Sequence, residues 1–173
     1  MIGRAATGGG ALAASLCAAC AEPAVMPKGP DLLSVMRAGC LDTLPGFAGA
    51  ASALERIGLA PTGNDGVFDT FEAHGVSVGV NTGATRPVAG AVCVAVDLRQ
   101  PPRTGWAELR EAVVGAAGQP ATEACDGPVT ARPECTLRWR RGKDCLGLDA
   151  LLRESRVFSA WLFFQRGNKG CRA

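Results

Sequence analysis

The sequence predicts an α+β fold, a single two-layer domain in which an antiparallel or mixed sheet carries an N-terminal and a central helix. Three observations indicate this fold. Apolar residues recur at helical spacing after Asp31 and again from Thr104 to Ala117. They alternate with the period of strands in the segments that follow each helix, and turn residues separate the segments. The order helix, strands, helix, strands therefore favours one sheet with helices packed on it.

Three stretches have the helical pattern. Asp31 can cap the first, whose apolar residues recur every three or four positions: Leu32, Leu33, Met36, Cys40, Leu41 and Leu44. A Pro-Gly pair interrupts it, and a second stretch runs from Phe47 to Ile57. The third covers Thr104 to Ala117, with Trp106 and Leu109 on its apolar stripe.

Strand character is expected in five segments, at residues 67–73, 76–80, 88–98, 135–141 and 157–164. The segment 88–98 is the strongest, because its valines point one way and Ala91, Cys93 and Ala95 point the other. Small side chains on one face are typical either of a central strand covered on both sides or of a strand that packs closely against a helix. Residues 118–133 are expected to form a loop, and residues 146–153 a short helix or an irregular connection.

Composition excludes several classes of protein. With 173 residues, 47% hydrophobic and 20% charged, the chain has the size of one domain and is too apolar for disorder. Eighteen Lys and Arg against sixteen Asp and Glu are too balanced for a nucleic-acid-binding protein. No phosphate-binding or dinucleotide-binding motif is present, so no cofactor is expected.

The amino terminus resembles an export signal. Arg4 precedes small and apolar residues, and Ala19 and Ala21 suit a signal-peptidase site, which predicts a signal over residues 1–21 and a mature chain from Glu22. Lipid attachment at Cys20 and an uncleaved cytosolic tail are the alternatives. No later apolar stretch is long enough for a transmembrane helix. We therefore expect a periplasmic or secreted protein with a leader at 22–30 and one domain at 31–173.

Six cysteines remain after the expected signal: Cys40, Cys93, Cys125, Cys135, Cys145 and Cys171. An even number in an exported chain indicates three disulfides, and their wide spacing argues against a zinc site. Six cysteines can form three disulfides in fifteen different pairings. We favour Cys40–Cys93, because both residues lie on faces where a helix meets a strand, together with the local pairs Cys125–Cys135 and Cys145–Cys171.

One motif matches a hydrolase. Residues 75–79 read G-x-S-x-G, the pattern of a nucleophile elbow around Ser77. No helix pattern follows, however, and the single histidine, His74, precedes the serine, so a strand with Ser77 on its polar face is the favoured interpretation. Glu72 and His74, with Asp69 or Asp97 nearby, form a second weak candidate, an acid–base pair, if they share one strand face.

The densest basic cluster is Arg138-Trp139-Arg140-Arg141, which predicts either an anion-binding surface or a strand with Trp139 in the core and Arg138 and Arg140 in solvent. We favour the second interpretation, a strand with Trp139 in the core. The Gly-Asn-Asp-Gly run at 63–66 lacks the ligand spacing of a calcium loop and indicates a turn, so no metal site is expected.

Together these features predict an exported, non-catalytic module with a binding, inhibitory or envelope-associated role, whose partner is an envelope protein or an anionic ligand and not nucleic acid. The alternative is a small periplasmic hydrolase that uses Ser77 or the Glu72/His74 pair. The backbone around Ser77 discriminates between them, because an elbow favours the enzyme and a regular strand favours the module.

Overall fold

A computed structural model describes residues 29–83, 90–125, 134–167 and 171. The expected signal, the start of the leader and Cys20 lie outside these ranges. Eight strands form one sheet in the order β1-β2-β3-β4-β8-β7-β6-β5, and every neighbouring pair is antiparallel. Their bounds are Ala60–Asn64 for β1, Asp69–Ala73 for β2, Val76–Asn81 for β3, Gly90–Asp97 for β4, Thr122–Cys125 for β5, Glu134–Arg141 for β6, Asp144–Arg153 for β7 and Arg156–Gln165 for β8.

Short helices cover one face of this sheet, which we call the inner face. They are α1 (Leu32–Val35), a π-helical continuation (Met36–Leu41), α2 (Ala50–Arg56) and α3 (Trp106–Ala117). Asp31 caps α1 by accepting a hydrogen bond from the Ser34 amide at 2.8 Å. At the start of α3, the Gly105 amide donates to the Glu108 carboxylate at 2.9 Å.

The topology consists of two four-stranded meanders that join where β4 pairs with β8. Helix α3 connects β4, in the middle of the sheet, to β5 at its far edge. Four strand spacings of about 4.8 Å separate these strands, or about 19 Å. A helix of 12 residues is about 18 Å long, so α3 has the length that this crossing requires.

The core lies between the helices and the inner face. Its fully buried side chains come from every layer and include Leu32, Met36, Leu109, Leu148 and Leu162. A disulfide between Cys40 and Cys93 bonds the π-helical segment to β4, where the small neighbours Ala91 and Ala95 allow close approach.

Two further disulfides lie in the second meander. Cys125–Cys135 joins directly opposed residues of β5 and β6, and Cys145–Cys171 joins the start of β7 to the residue near the carboxyl end. The three bonds are the pairs that the sequence analysis favours.

The expected fold class is wrong. The molecule is dominated by an eight-stranded antiparallel sheet with a few short helices, and does not alternate helices with strands as two comparable layers. Residues 146–153, expected as a helix or connection, lie in β7, and β5 lies in the expected loop. Leu and Ala have high helix propensity, but in β7 hydrogen bonding to two neighbouring strands outweighs it.

Candidate functional site

Ser77 lies in the middle of a regular strand and not at an elbow. It pairs with Glu72 of β2 on one side and Val96 of β4 on the other. Its hydroxyl donates to the Glu72 carboxylate across 3.4 Å, a long hydrogen bond between partly exposed groups. The serine therefore has the strand environment that the sequence analysis favours.

His74 lies in the turn between β2 and β3, where it adopts a left-handed φ of 48°. Its exposed ring packs on Gly29, since a side chain at that glycine would meet the imidazole. Among the described residues, no hydrogen bond joins His74 to Ser77 or Glu72. The structure thus brings Glu72 to Ser77 but does not place His74 with either of them on a strand face.

The two aspartates named with this pair also have other partners. Asp69 accepts a hydrogen bond from the Asn64 amide group at 2.6 Å, beside the turn at residues 63–66. Asp97 bonds to Arg99 and the loop that follows β4. Neither aspartate therefore completes an acid–base constellation with His74.

The basic cluster on β6 is divided between the two faces of the sheet. Trp139 is 3% exposed on the inner face, and its indole N–H donates to the Gly118 carbonyl at 2.7 Å. Arg141 donates to the carbonyl of Ala117 on the same side, at 3.2 Å. Arg138 and Arg140 lie on the opposite face, which we call the outer face.

Arg138 is largely satisfied within the protein. Its guanidinium lies 2.6 Å from the Asp149 carboxylate and 5.1 Å from the centre of the Phe163 ring. Two main-chain carbonyls accept hydrogen bonds from it at 3.0 Å. Little of this charge is left for a ligand.

A basic site that the sequence analysis missed lies beyond the end of β4. A cavity of about 620 Å³, which we call the arginine pocket, is lined by Arg99, Gln100, Pro101, Pro102, Arg103 and Arg156. The loop after β4 supplies five of these residues, and the first residue of β8 supplies the sixth. Arg156 donates to the main-chain carbonyl of Arg103, which connects the two parts of the pocket.

Asp97, the last residue of β4, holds the pocket loop through hydrogen bonds to its carboxylate. It is 2% exposed, and its carboxylate accepts two side-chain hydrogen bonds from Arg99 at 2.7 Å each. The main-chain amides of Arg99 and Arg103 donate to the same carboxylate at 3.1 and 3.3 Å. One buried group therefore fixes both the start and the end of the loop.

The pair of Asp97 and Arg99 is ionised. Burial acts to raise the pKa of Asp97, but the hydrogen bonds from Arg99 and Arg103 outweigh it and hold that pKa below its usual range. The hydrogen bonds to Asp97 raise the pKa of Arg99 in turn. Asp97 compensates one of the three guanidinium charges, which leaves the pocket with the charges of Arg103 and Arg156.

These two guanidinium groups are the ones available to a ligand. Both residues are exposed. Across the part of the chain that the structure describes, the Arg103 side chain has no hydrogen-bond or ion-pair partner, and Arg156 uses only one nitrogen, in its bond to the Arg103 carbonyl. The arrangement can therefore bind an anion without first breaking an ion pair.

In the sequence, the Gln100-Pro101-Pro102 run indicates only a break. The signal that could have found the pocket is the set of charged residues around this break, Asp97, Arg99 and Arg103. No local pattern connects them to Arg156, which lies 53 positions beyond Arg103.

No helix within the described ranges is long and apolar enough to cross a membrane. The same ranges contain no group of three or more His, Cys, Asp or Glu side chains placed to hold a metal ion. The chain matches no protein-family model, no curated protein and no solved structure.

Proposed function

We propose that this protein is an exported, non-catalytic binding module that holds an anionic ligand in the arginine pocket. The observation that carries the proposal is the pair of uncompensated guanidinium groups, Arg103 and Arg156, at one cavity of about 620 Å³. Three disulfides support an oxidising compartment, where such bonds form and persist.

The chemistry of the pocket favours carboxylate or phosphate groups. Guanidinium groups present planar, paired N–H donors that match the oxygens of both anions. The loop backbone is held in place by Asp97 before any ligand arrives, so little backbone conformational entropy is lost on binding. We expect a ligand with two or more negative charges, free or displayed by an envelope component.

The hydrolase alternative has less support. Ser77 lies in a regular strand with Glu72 as its partner, which is the arrangement that favours a module. The contact with the Glu72 carboxylate is long, and no histidine among the described residues reaches the Ser77 hydroxyl, so the usual activation of a serine nucleophile is missing. The proposal therefore assigns no catalytic role to Ser77, Glu72 or His74.

Calorimetric titration of the oxidised protein with pyrophosphate and with citrate tests the anion site. We expect Arg103→Gln and Arg156→Gln each to weaken binding by roughly tenfold or more, because each removes hydrogen bonds to a charged ligand. Arg140→Gln is the matched control, since Arg140 is exposed on another part of the molecule. Absence of binding of either anion, or equal weakening by the control, contradicts the proposal.

Export is tested by the intact mass of protein recovered from the cell envelope. The proposal expects a chain that begins at Glu22. A lipid adduct on Cys20 would identify a membrane-anchored form of an exported protein, whereas a retained Met1 would argue against export.

A further inference from the structure

The outer face of the sheet contains a second site, which differs from the arginine pocket in its chemistry. It is a groove of about 190 Å³ lined by two aromatic side chains, a floor of two valines, the hydroxyl side chains of Thr70 and Ser77, and one carboxylate. We call it the aromatic groove, and the residues used below are Asp65, Phe68, Gly79, Val94, Val96 and Trp161.

The register of the sheet sets the width of the groove. Gly79 of β3 lies opposite Val94 of β4, and Val94 lies opposite Trp161 of β8. The Phe68 ring packs directly over Gly79, where an added side-chain carbon would lie 3.3 Å from it. Two strand spacings of about 4.8 Å therefore separate the backbone of Gly79, beneath the Phe68 ring, from that of Trp161 by about 10 Å, with Val94 between them.

Trp161 is held in place and is still accessible. Its indole N–H donates to the Ser159 hydroxyl at 3.0 Å, so the one polar atom of the ring is satisfied. The residue is nevertheless 48% exposed, the largest aromatic exposure in the described part of the chain. What it offers to a ligand is ring surface and not a hydrogen bond.

The charge at the rim is negative. One oxygen of Asp65 accepts hydrogen bonds from the amides of Phe68 and Val67 at 2.7 and 2.8 Å, and these bonds lower the pKa of the carboxyl group. Glu72 adds a second carboxylate beside Ser77. Arg138, the cation farther along this face, is paired with Asp149 and does not cancel them.

We propose that the aromatic groove binds an organic cation of the trimethylammonium class. A cation bound over Val94 has an aromatic residue on either side of it, and cation–π attraction acts within ~6 Å of a ring centre. The valine floor cannot replace the water around a primary ammonium group, which favours a methylated cation whose surface is apolar. The ligand can be a free solute or the headgroup of a lipid.

The test is an NMR titration of the full, oxidised chain with choline, followed through the indole N–H signal of Trp161. We expect this signal to shift, and we expect 3,3-dimethylbutan-1-ol, the uncharged carbon analogue of choline, to bind about tenfold more weakly. Equal binding of the two compounds, or no shift of the Trp161 signal with choline, would overturn the proposal.

Variants separate this site from the arginine pocket. Trp161→Leu and Phe68→Leu should each weaken choline binding by about tenfold. Because Trp161→Leu lacks the indole N–H signal, its binding is measured from the line width of the choline methyl signal. Asp65→Asn keeps the oxygen that accepts from the turn and removes the charge, so a smaller loss of about threefold is expected. Arg103→Gln should leave choline binding unchanged; if it weakens choline as much as the groove variants do, the proposal is wrong. Should one aromatic variant fail to fold, the other two groove variants decide the result.

Vesicles identify the source of the cation. Capture by phosphatidylcholine vesicles that is lost in Trp161→Leu and kept in Arg103→Gln assigns the site to a lipid headgroup. Binding of choline without vesicle capture assigns it to a free solute. Phosphatidylcholine capture that Trp161→Leu leaves unchanged would contradict a lipid-headgroup site in the groove.

Discussion

The two faces of the sheet, traced along the single strand β4, differ in how they are covered. On the inner face Cys93 and Ala95 are fully buried beneath the helices, and Cys93 is bonded to the π-helical segment. On the outer face Val94 and Val96 are only partly buried and form the floor of an open groove. Alternate residues of one strand thus contribute to the core and to a surface.

This difference separates the source of stability from the two proposed binding sites. The inner face supplies the buried apolar area and the disulfide, so the fold does not depend on the outer face for its core. Both proposed sites lie outside the core, one at the end of β4 and one on its outer side. Substitutions at the sites should therefore affect ligand binding more than folding, and substitutions of the inner face the reverse.

Removal of the Cys40–Cys93 bond should produce the largest loss on the inner face. The bond closes 53 residues of chain, for which the chain-entropy model gives about 4 kcal/mol in the free energy of unfolding. The Cys125–Cys135 bond closes 10 residues and should contribute about 3 kcal/mol. Guanidinium unfolding of the two paired Cys→Ala variants measures both values, and a larger loss from the second pair would contradict this ranking.

Truncation of core side chains should give the next largest effect. Leu148 is fully buried on the inner face, so Leu148→Ala should lower the free energy of unfolding by about 3 kcal/mol. Val94→Ala, on the outer face, should lower it by about 1 kcal/mol or less. Equal losses in chemical denaturation would mean that the outer face is part of the core after all.

The sequence predicted which residues of β4 share a face, but it left open whether helices cover one face or both. The alternation of Val94 and Val96 with Cys93 and Ala95 depends only on the two-residue period of a strand, and small side chains predict the approach of a helix. For β7 the sequence was misleading, because Leu148 and Ala150 favour a helix locally and are held in a strand by β6 and β8.

The proposed sites could not be predicted in the same way, because they depend on contacts between distant segments. Arg103 and Arg156 meet across 53 positions, and the Phe68 ring reaches Gly79 only because a turn carries it back over β3. No local sequence pattern predicts either of these two contacts. The cluster at Arg138 to Arg141 was the stronger local signal, and strand alternation divides it between the two faces.

Acid should destabilise the protein partly through Asp97, below the arginine pocket. Because its pKa is lower in the folded protein than in the unfolded chain, its contribution is fully present above the unfolded pKa of about 4. The contribution is lost as the pH falls through the lower folded pKa. Unfolding between pH 6 and pH 2 should therefore show a smaller loss of stability on acidification in Asp97→Asn than in the wild type. Parallel curves would show that Asp97 is not linked to folding.

Ser77→Ala should produce the smallest effect, and it tests the comparison at a single pair of neighbouring residues. The Ser77 hydroxyl makes one long hydrogen bond to an exposed carboxylate, which water can replace, so its loss should change the free energy of unfolding by no more than about 0.5 kcal/mol. Val78, the next residue, is 1% exposed on the inner face, and Val78→Ala should cost roughly 2 kcal/mol. Thermal unfolding of the two variants measures this difference in stability.

An ester-hydrolysis assay of the wild type and Ser77→Ala tests the catalytic role of the same residue. Ester turnover that disappears in Ser77→Ala would support the hydrolase alternative, whereas equal background rates are what a serine without a histidine partner should give.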